Sequence, residues 1–209
     1  MAAYIVIAII AYAIGSINFS VIISRKIAGF DIREKGSGNA GSTNMLRSVG
    51  KKAALITLGC DILKGIVAIL IAIIINMIAE DSTNPAILVQ IAALCVVVGH
   101  TYPIFFEFRG GKGVATSLGI IILVNWQIGL ICLVFALVLI ALTRMVSLGS
   151  ISAAILFAVL TIFLPDHFLV EGNYIIFGIL LATLVIFNHR TNIKRIMEGN
   201  ESRINFKKS

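Results

Sequence analysis

The segment KGVATSLGIIILVNWQIGLICLVFALVLIALTR, residues 112–144, decides how the chain is arranged in a membrane. It is apolar along most of its length and has a basic residue at each end, Lys112 and Arg144. Because basic residues collect on the cytoplasmic side of a membrane, both ends belong on that side and the segment crosses an even number of times.

We therefore predict two short helices in this segment, 114–125 and 127–143, each about 14 residues long. They would turn near Asn125-Trp126-Gln127, where polar residues interrupt the apolar run. A single long tilted helix is the alternative, and it would put Arg144 on the outer side.

The rest of the chain is also apolar. Of its 209 residues, 59% are hydrophobic and only 13% are charged, which excludes soluble enzymes, disordered tails and disulfide-stapled secreted domains. The composition predicts an all-α integral membrane protein. A spanning helix needs roughly 20 apolar residues, and five further runs have that character. They are 2–24, 53–79, 86–106, 146–164 and 173–188.

The net charge of +7 is explained by orientation in the membrane. Every Lys and Arg fits one side, whereas segments 80–85 and 165–172 carry acidic residues without Lys or Arg. The positive-inside rule then predicts seven transmembrane helices in a single domain, 1–209. The N-terminus would be outside, and the C-terminus and the polar active-site loops would be cytoplasmic.

The first polar cluster is GSGNAGSTNMLR, residues 36–47. Glycines let backbone N–H groups converge on an anion, hydroxyls and amides add neutral donors, and an arginine matches phosphate geometry. A flexible linker is the alternative, but a linker needs few such donors. The candidate phosphate ligands here are Gly36, Ser37, Gly38, Asn39, Thr43, Asn44 and Arg47.

The second cluster is GHTYPIFFEFRGGKGVAT, residues 99–116. Gly110, Gly111, Lys112 and Gly113 come directly before an apolar run, so a glycine turn meets a helix start. Helix-start N–H groups beside a lysine ammonium suit phosphate, although the spacing of a nucleotide-binding P-loop is not met. A basic juxtamembrane loop is the alternative interpretation.

The third cluster, NHRTNIKRIMEGNESRI, occupies residues 188–204 at the end of the last apolar run. His189 and Asn192 are three residues apart and would share a helical face. His189 is a candidate general base or phosphate donor, with a solvated helix end as the alternative. Ser147 and Ser150 add hydroxyls at the start of another span.

Asp61 and Lys64 are charged residues inside the second apolar run. Spaced by three, they would share one helical face near its cytoplasmic end. Ionisable groups at membrane depth usually face a bundle interior or a polar cavity, so Lys64 is a candidate phosphate ligand. A purely structural ion pair is the alternative.

The three ordered clusters resemble the bacterial acyl-phosphate:glycerol-3-phosphate acyltransferase family over nearly the whole chain. The resemblance implies transfer of a fatty acyl group from acyl-phosphate to the 1-hydroxyl of glycerol 3-phosphate, the first acylation of phospholipid synthesis. It also implies a multi-pass protein of the bacterial inner membrane with a cytoplasmic active site.

The resemblance also assigns roles to individual residues. It implies catalytic roles for Ser37, Arg47, Lys112, His189 and Asn192. The glycine-rich segment around Lys112 would bind glycerol 3-phosphate, and Glu201 would be structural. Apart from the resemblance, the ion pair with Lys64 makes Asp61 a candidate structural residue. Ser150 is the preferred further phosphate donor, with Ser147 as the second choice.

The mechanism expected from these substrates is direct attack without an acyl-enzyme, because acyl-phosphate already carries a good leaving group. An acyl-Ser37 intermediate is the competing mechanism. The His-x4-Asp motif of acyl-CoA-dependent enzymes is absent, since Phe105, Gly172 and Lys194 stand five residues after the three histidines.

We expect no cofactor, no metal and no nucleic-acid partner. The expected partners are membrane lipids, the two substrates and, transiently, the soluble enzyme that makes acyl-phosphate; a monomer suffices for one site. A small transporter of a phosphate-bearing anion is the alternative function. Against it, the polar groups concentrate on one membrane face and no candidate site appears at the midplane.

Overall fold

The computed structural model describes residues 1–79, 83–164 and 168–204, and this part of the chain is all-helical. Its ten α-helices are joined by short connections, two of which contain a 3₁₀ turn, Ile32–Glu34 and Ile104–Phe106. The helices are α1 Ala2–Gly15, α2 Phe19–Ala28, α3 Ser42–Ser48, α4 Lys51–Ile78, α5 Pro85–Thr101, α6 Val114–Val124, α7 Trp126–Thr143, α8 Val146–Phe163, α9 Ile175–Asn188 and α10 Arg190–Met197.

Five segments in the described part of the chain are long and apolar enough to cross a membrane. They are Ala2–Ala28, Lys51–Ile78, Pro85–Phe106, Trp126–Thr143 and Val146–Phe163. The pair α9 and α10 would make a sixth, although it bends by 62°. The protein is therefore a multi-pass helical membrane protein, while seven crossings and the orientation stay predictions. The predicted outer-side acids Glu80, Asp81 and Asp166 lie outside the described residues.

The segment after Gly113 forms two helices, α6 and α7, as predicted, and the single-helix alternative is wrong. The break falls at Asn125, whose side chain accepts a hydrogen bond from the Ile128 N–H at 3.0 Å and caps α7. Their lengths differ from the expectation, since α6 has 11 residues and α7 has 18. By length alone, α7 suits a full crossing and α6 does not.

The first apolar run is not one helix over 2–24. Helix α1 ends at Gly15 and α2 begins at Phe19, because Asn18 caps the second helix. Its side-chain oxygen accepts from the Val21 N–H at 3.3 Å and from the Ser20 hydroxyl at 2.7 Å. The capping side chain of Asn18 therefore starts a new helix within a run whose apolar pattern predicted one continuous helix.

The chain divides into two compact units, an N-terminal unit of residues 1–120 and a C-terminal unit of residues 121–209. In the N-terminal unit, Gly15 of α1 and Gly99 of α5 bring two helix backbones together. A β-carbon on Gly15 would lie 3.0 Å from the Gly99 Cα and would overlap the Val96 carbonyl. Transmembrane helices associate closely through small residues at their contacts, because burying apolar side chains provides no driving force between helices in lipid.

In the C-terminal unit, aromatic packing joins α8 and α9. Phe157 and Phe177 meet edge to face with ring centroids 6.0 Å apart, and Tyr174 stacks on Phe168 at 4.0 Å. Gly178 leaves room for Thr161 on the facing helix. The chain after α10 returns to the start of α8, where the Ile204 N–H donates to the Arg144 carbonyl at 2.8 Å.

Candidate active site

The first polar cluster is only half a loop. Its residues 36–41 form a turn, and the rest belongs to α3, which the sequence did not predict. Gly36 and Gly38 both have positive φ, of 57° and 71°, a conformation that favours glycine. The glycines therefore shape the turn.

Asn44 organises this turn from inside. Its side chain is buried, and its Nδ2 donates toward the carbonyls of Ile32, Lys35 and Asn39 at 3.0–3.1 Å. Its Oδ1 accepts from the Ser37 N–H at 3.0 Å. A β-carbon on Gly36 would overlap that Oδ1 atom. Asn44 thus binds loop backbone, whereas the sequence suggested it as a phosphate ligand.

Ser37 and Arg47 are the cluster's exposed residues with polar side chains. Ser37 lies in the turn, and Arg47 lies on α3 one helical turn beyond Asn44. Asn39 and Thr43 are half-buried beside them. The structure therefore presents a hydroxyl and a guanidinium on a scaffold that Asn44 fixes.

An ion pair that the sequence did not single out fixes the start of the turn. The side chain of Arg33 is buried and hydrogen-bonded to both oxygens of Asp31, with Nη2 2.8 Å from Oδ2. Its Nη1 also donates to the Phe106 carbonyl at 2.7 Å. In sequence Arg33 looks like an ordinary positive-inside residue. In the structure they join the segment before the first cluster to the 3₁₀ turn within the second.

The hydrogen bond from Arg33 lowers the pKa of the Asp31 carboxyl from 3.8 to about 2. Burial acts in the opposite direction, and a further bond from Arg25 at 2.8 Å supports the charged form. Asp31 is therefore a carboxylate at neutral pH.

The second cluster is a glycine turn that runs straight into a helix, as predicted. Helix α6 begins at Val114, directly after Gly113, whose φ is +83°. The Gly110 N–H donates to the Thr101 carbonyl at 3.0 Å, and the Gly111 N–H donates to the His100 carbonyl at 3.1 Å. Those two N–H groups are thus used by α5, although the sequence suggested them for phosphate.

Gly111 is the contact between the first and second clusters. A β-carbon there would lie 2.7 Å from the Ala40 carbonyl and would overlap Nε2 of His100. Only a glycine fits without moving one of these neighbours. Lys112, the next residue, is half-buried.

Lys64 and Asp61 form the predicted ion pair, with Nζ and Oδ1 3.0 Å apart. Both are buried, and Lys64 also donates to the carbonyls of Gly15 and Ile17 at 3.0 and 2.9 Å. Those carbonyls are left without helical partners where α1 breaks. The contacts therefore favour the structural interpretation of Lys64 over a phosphate ligand. His100, which sequence reasoning missed, lies 3.5 Å from Asp61.

In the C-terminal unit, Glu201 collects three donors. The Asn192 amide donates to its Oε1 at 2.7 Å and the Ser147 hydroxyl to the same oxygen at 2.8 Å, while Arg195 Nε lies 3.0 Å from Oε2. Burial raises the pKa of Glu201, but these hydrogen bonds outweigh it and hold the pKa below its usual value. Glu201 thus ties the third cluster to the start of α8.

His189 lies at the bend between α9 and α10 and is buried. Its Nδ1 is 2.7 Å from the Val185 carbonyl oxygen. Because a carbonyl only accepts, Nδ1 carries a hydrogen, and Nε2 of the neutral ring is then an acceptor. Ser150 donates to the Val146 carbonyl of its own helix at 3.0 Å and does not join the Glu201 cluster.

Among the residues that the structure describes, no three His, Cys, Asp or Glu side chains are grouped to hold a metal ion. Ser37, Arg47 and Lys112 belong to the N-terminal unit, and His189, Asn192, Ser147 and Ser150 to the C-terminal unit.

These features define a multi-pass helical membrane protein whose glycine turns carry basic and hydroxyl side chains. The family described as glycerol-3-phosphate acyltransferase matches residues 5–199. The chain belongs to this family.

Similar proteins cover almost the whole chain. The glycerol-3-phosphate acyltransferase of Clostridioides difficile (strain 630) is 44% identical over 98% of this chain and 97% of its own length. That of Thermoanaerobacter sp. (strain X514) is 43% identical over 94% of this chain and 93% of its own length.

Two solved structures have the same fold. They are crystal structures of PlsY, an integral membrane glycerol 3-phosphate acyltransferase, in a glycerol 3-phosphate form and a lysophosphatidic acid form. The first has a TM-score of 0.82 and 37% identity, covering 97% of this chain and 96% of that chain. The second has a TM-score of 0.80 and 36% identity, covering 97% and 95%.

Proposed function

We propose that this protein transfers a fatty acyl group from acyl-phosphate to the 1-hydroxyl of glycerol 3-phosphate, releasing lysophosphatidic acid and phosphate. The observation that carries the proposal is the similarity over 97% of the chain to PlsY in a glycerol 3-phosphate form and a lysophosphatidic acid form. Those two ligands are the acceptor and the product of this reaction.

Acyl-phosphate is the donor in this proposal. The three ordered clusters support it, since they are the motifs that carry the resemblance to acyl-phosphate-dependent enzymes. The missing His-x4-Asp motif argues against acyl-CoA chemistry.

Substrate phosphate binds, in this account, to Ser37, Arg47 and Lys112. The geometry of the N-terminal unit supports this assignment, because Asn44 shapes the turn that carries Ser37. Because Gly110 and Gly111 donate to α5, the backbone donors at the second cluster are the first N–H groups of α6, residues 114–116.

The reaction is a direct attack. The 1-hydroxyl oxygen bonds to the acyl carbonyl carbon, the carbon–oxygen bond to the phosphate breaks, and phosphate leaves as the anion. The hydroxyl proton passes to a phosphate oxygen of a substrate. Arg47 stabilises the charge on the departing phosphate, which is the largest contribution expected here, while Lys112 binds the phosphate of glycerol 3-phosphate.

His189 orients the acceptor in this mechanism. With a hydrogen on Nδ1, the neutral ring offers Nε2 as an acceptor for the 2-hydroxyl of glycerol 3-phosphate, which leaves the 1-hydroxyl proton to the phosphate oxygen. Asn192, whose Nδ2 is bonded to Glu201, contributes its side chain in a fixed orientation. Ser150 is the additional phosphate donor once its hydroxyl turns away from the Val146 carbonyl, and Ser147 serves Glu201.

The proposed setting is the bacterial inner membrane, with the active site on the cytoplasmic side. The +7 charge and the positive-inside rule support that orientation. The protein would act as a monomer without a cofactor and would meet the acyl-phosphate-producing enzyme transiently.

The experiment is an assay of purified protein in detergent with palmitoyl-phosphate, with and without glycerol 3-phosphate. We expect lysophosphatidic acid and an equal amount of phosphate only when both substrates are present. Phosphate released in a burst without the acceptor would contradict direct attack and indicate an acyl-Ser37 enzyme. Absence of product from folded protein would contradict the proposed function and favour the anion transporter.

A further inference from the structure

His100 stands between a buried ion pair and the contact of the two glycine clusters. It is the penultimate residue of α5, and its side chain is only 4% exposed. Its Nδ1 lies 3.5 Å from Oδ1 of Asp61, and its Nε2 faces Gly111 closely enough to exclude a β-carbon there. One ring therefore touches both helix α4 and the glycine turn.

In the described part of the chain, the facing atoms of Asp61 and His100, Oδ1 and Nδ1, lack a hydrogen bond of good geometry, although Asp61 Oδ1 is ion-paired with Lys64. Both atoms are inaccessible. Buried polar atoms are nearly always bonded in native proteins, so the carboxylate oxygen that His100 Nδ1 faces across 3.5 Å is the natural partner of that nitrogen.

Asp61 is itself held in place. Lys64 lies 3.0 Å from the same oxygen, and Lys64 is anchored by the Gly15 and Ile17 carbonyls. Helices α1 and α4 thus fix the carboxylate toward which Nδ1 points. The main chain of His100 adds a second link, because its carbonyl accepts from the Gly111 N–H at 3.1 Å.

We propose that His100 is a positioning residue for the glycerol 3-phosphate-binding segment. Asp61 holds the Nδ1–H edge of the ring, and the opposite edge supports Gly111 against the Ala40 carbonyl. This contact fixes the turn that presents Lys112 relative to the turn that presents Ser37. The inference rests on the proposed function in assuming that Lys112 contacts glycerol 3-phosphate.

A merely structural role gives a different expectation. If His100 only filled space, its loss would lower the amount of folded protein and leave the kinetics of the remainder unchanged. If it positions the turn, its loss weakens the binding of one substrate in protein that is still folded. The Michaelis constants for the two substrates therefore distinguish the roles.

The test compares His100→Ala, Asp61→Asn and the double variant with the unmodified protein. We expect each single variant to raise the KM for glycerol 3-phosphate about tenfold, with kcat and the KM for palmitoyl-phosphate changed less than about twofold. The double variant should resemble the His100→Ala variant, because both substitutions break the same contact between Asp61 and His100. Should Asp61→Asn fail to fold, His100→Gln is compared with His100→Ala in its place and the double variant is left out; Gln lacks a group at the Nδ1 position and should raise the KM for glycerol 3-phosphate in the same way.

Leu88→Ala is the matched control, because Leu88 is fully buried in the same helix, three turns from His100. It should lower thermal stability without a selective change in KM. Equal KM changes for Leu88→Ala and His100→Ala would overturn the inference, as would additive effects in the double variant.

Calorimetric titration with glycerol 3-phosphate alone separates this inference from the proposed function. We expect His100→Ala to weaken binding about tenfold, whatever the acyl donor is. If the wild-type protein binds glycerol 3-phosphate and the His100→Ala variant binds it equally tightly, the positioning role is overturned. Wild-type protein that binds but does not use acyl-phosphate would contradict the proposed donor and leave this test intact.

Discussion

The side-chain amide of Asn192 donates to Glu201 across 2.7 Å, so a residue assigned to catalysis is oriented by one assigned to structure. Glu201 lies in the segment after α10, and the same oxygen accepts from Ser147 at the start of α8. The carboxylate therefore fixes the amide plane of Asn192 with respect to α8. This contact gives a physical reason why Glu201, which takes no part in the proposed acyl transfer, can still be needed for activity.

Glu201→Gln should destabilise the C-terminal unit by about 2 kcal/mol, because the new amide donor would face the Arg195 donor. Thermal unfolding in detergent at neutral pH measures the loss, and lysophosphatidic acid formation should fall with it. Since the pKa of Glu201 is lowered in the folded state, the difference from wild type should shrink as the pH falls through that pKa. Glu198→Gln is the control, because Glu198 is half exposed and its Lys194 contact is 3.9 Å. Equal stability of the two variants would contradict the account.

Asp31→Asn should lower stability at neutral pH by about 2 kcal/mol, which corresponds to lowering the pKa of Asp31 from 3.8 to about 2. A carboxyl group whose pKa is lower in the folded state stabilises that state at any pH above its unfolded-state pKa. This contribution is lost as the pH falls toward its folded-state pKa. The difference between variant and wild type should therefore close between pH 4 and pH 2, as unfolding at several pH values would measure. Glu34→Gln, at an exposed acid of the same turn, is the control and should change stability at neutral pH much less than Asp31→Asn. A pH-independent difference for Asp31→Asn would refute the prediction.

Asn44→Asp should reduce activity by at least about a hundredfold, because a carboxylate would face the carbonyls of Ile32, Lys35 and Asn39. Initial rates with palmitoyl-phosphate measure the effect. The control is Asn76→Asp, since the side-chain oxygen of Asn76 accepts from Thr83 at 2.8 Å and a carboxylate preserves that bond. Near-normal activity of Asn44→Asp would mean that the turn does not depend on these three bonds.

Gly111→Ala should lower activity at least about tenfold, because a β-carbon displaces either the His100 ring or the Ala40 carbonyl. Gly59→Ala provides the comparison, since a β-carbon on that α4 glycine would meet nothing within 4 Å. It should leave activity unchanged and raise stability by about 0.5–1 kcal/mol, the usual gain in a helix. Similar activities of the two variants would argue against a close contact at Gly111.

Local chemistry made part of the structure predictable from sequence. The break at Asn125 is visible as a polar interruption in an apolar run, and its capping bond spans only three residues. The start of α6 after Gly113 is likewise a local signal. The Asp61–Lys64 pair follows from helical spacing alone.

Contacts between distant segments were not predictable. The acceptors of Lys64 are carbonyls 47 and 49 residues away, exposed only because α1 breaks. Asn44 looked like one donor among several, and its role depends on three carbonyls converging through two glycine conformations. Arg33 reaches the Phe106 carbonyl 73 residues later, which periodicity does not reveal.

The identity of the acyl donor is the central claim, and one comparison tests it most directly. Purified protein is given glycerol 3-phosphate with either palmitoyl-phosphate or palmitoyl-CoA, and lysophosphatidic acid and phosphate are measured together. We predict product from palmitoyl-phosphate with one phosphate released per acyl transfer, and none from palmitoyl-CoA. Product from palmitoyl-CoA alone would contradict the account.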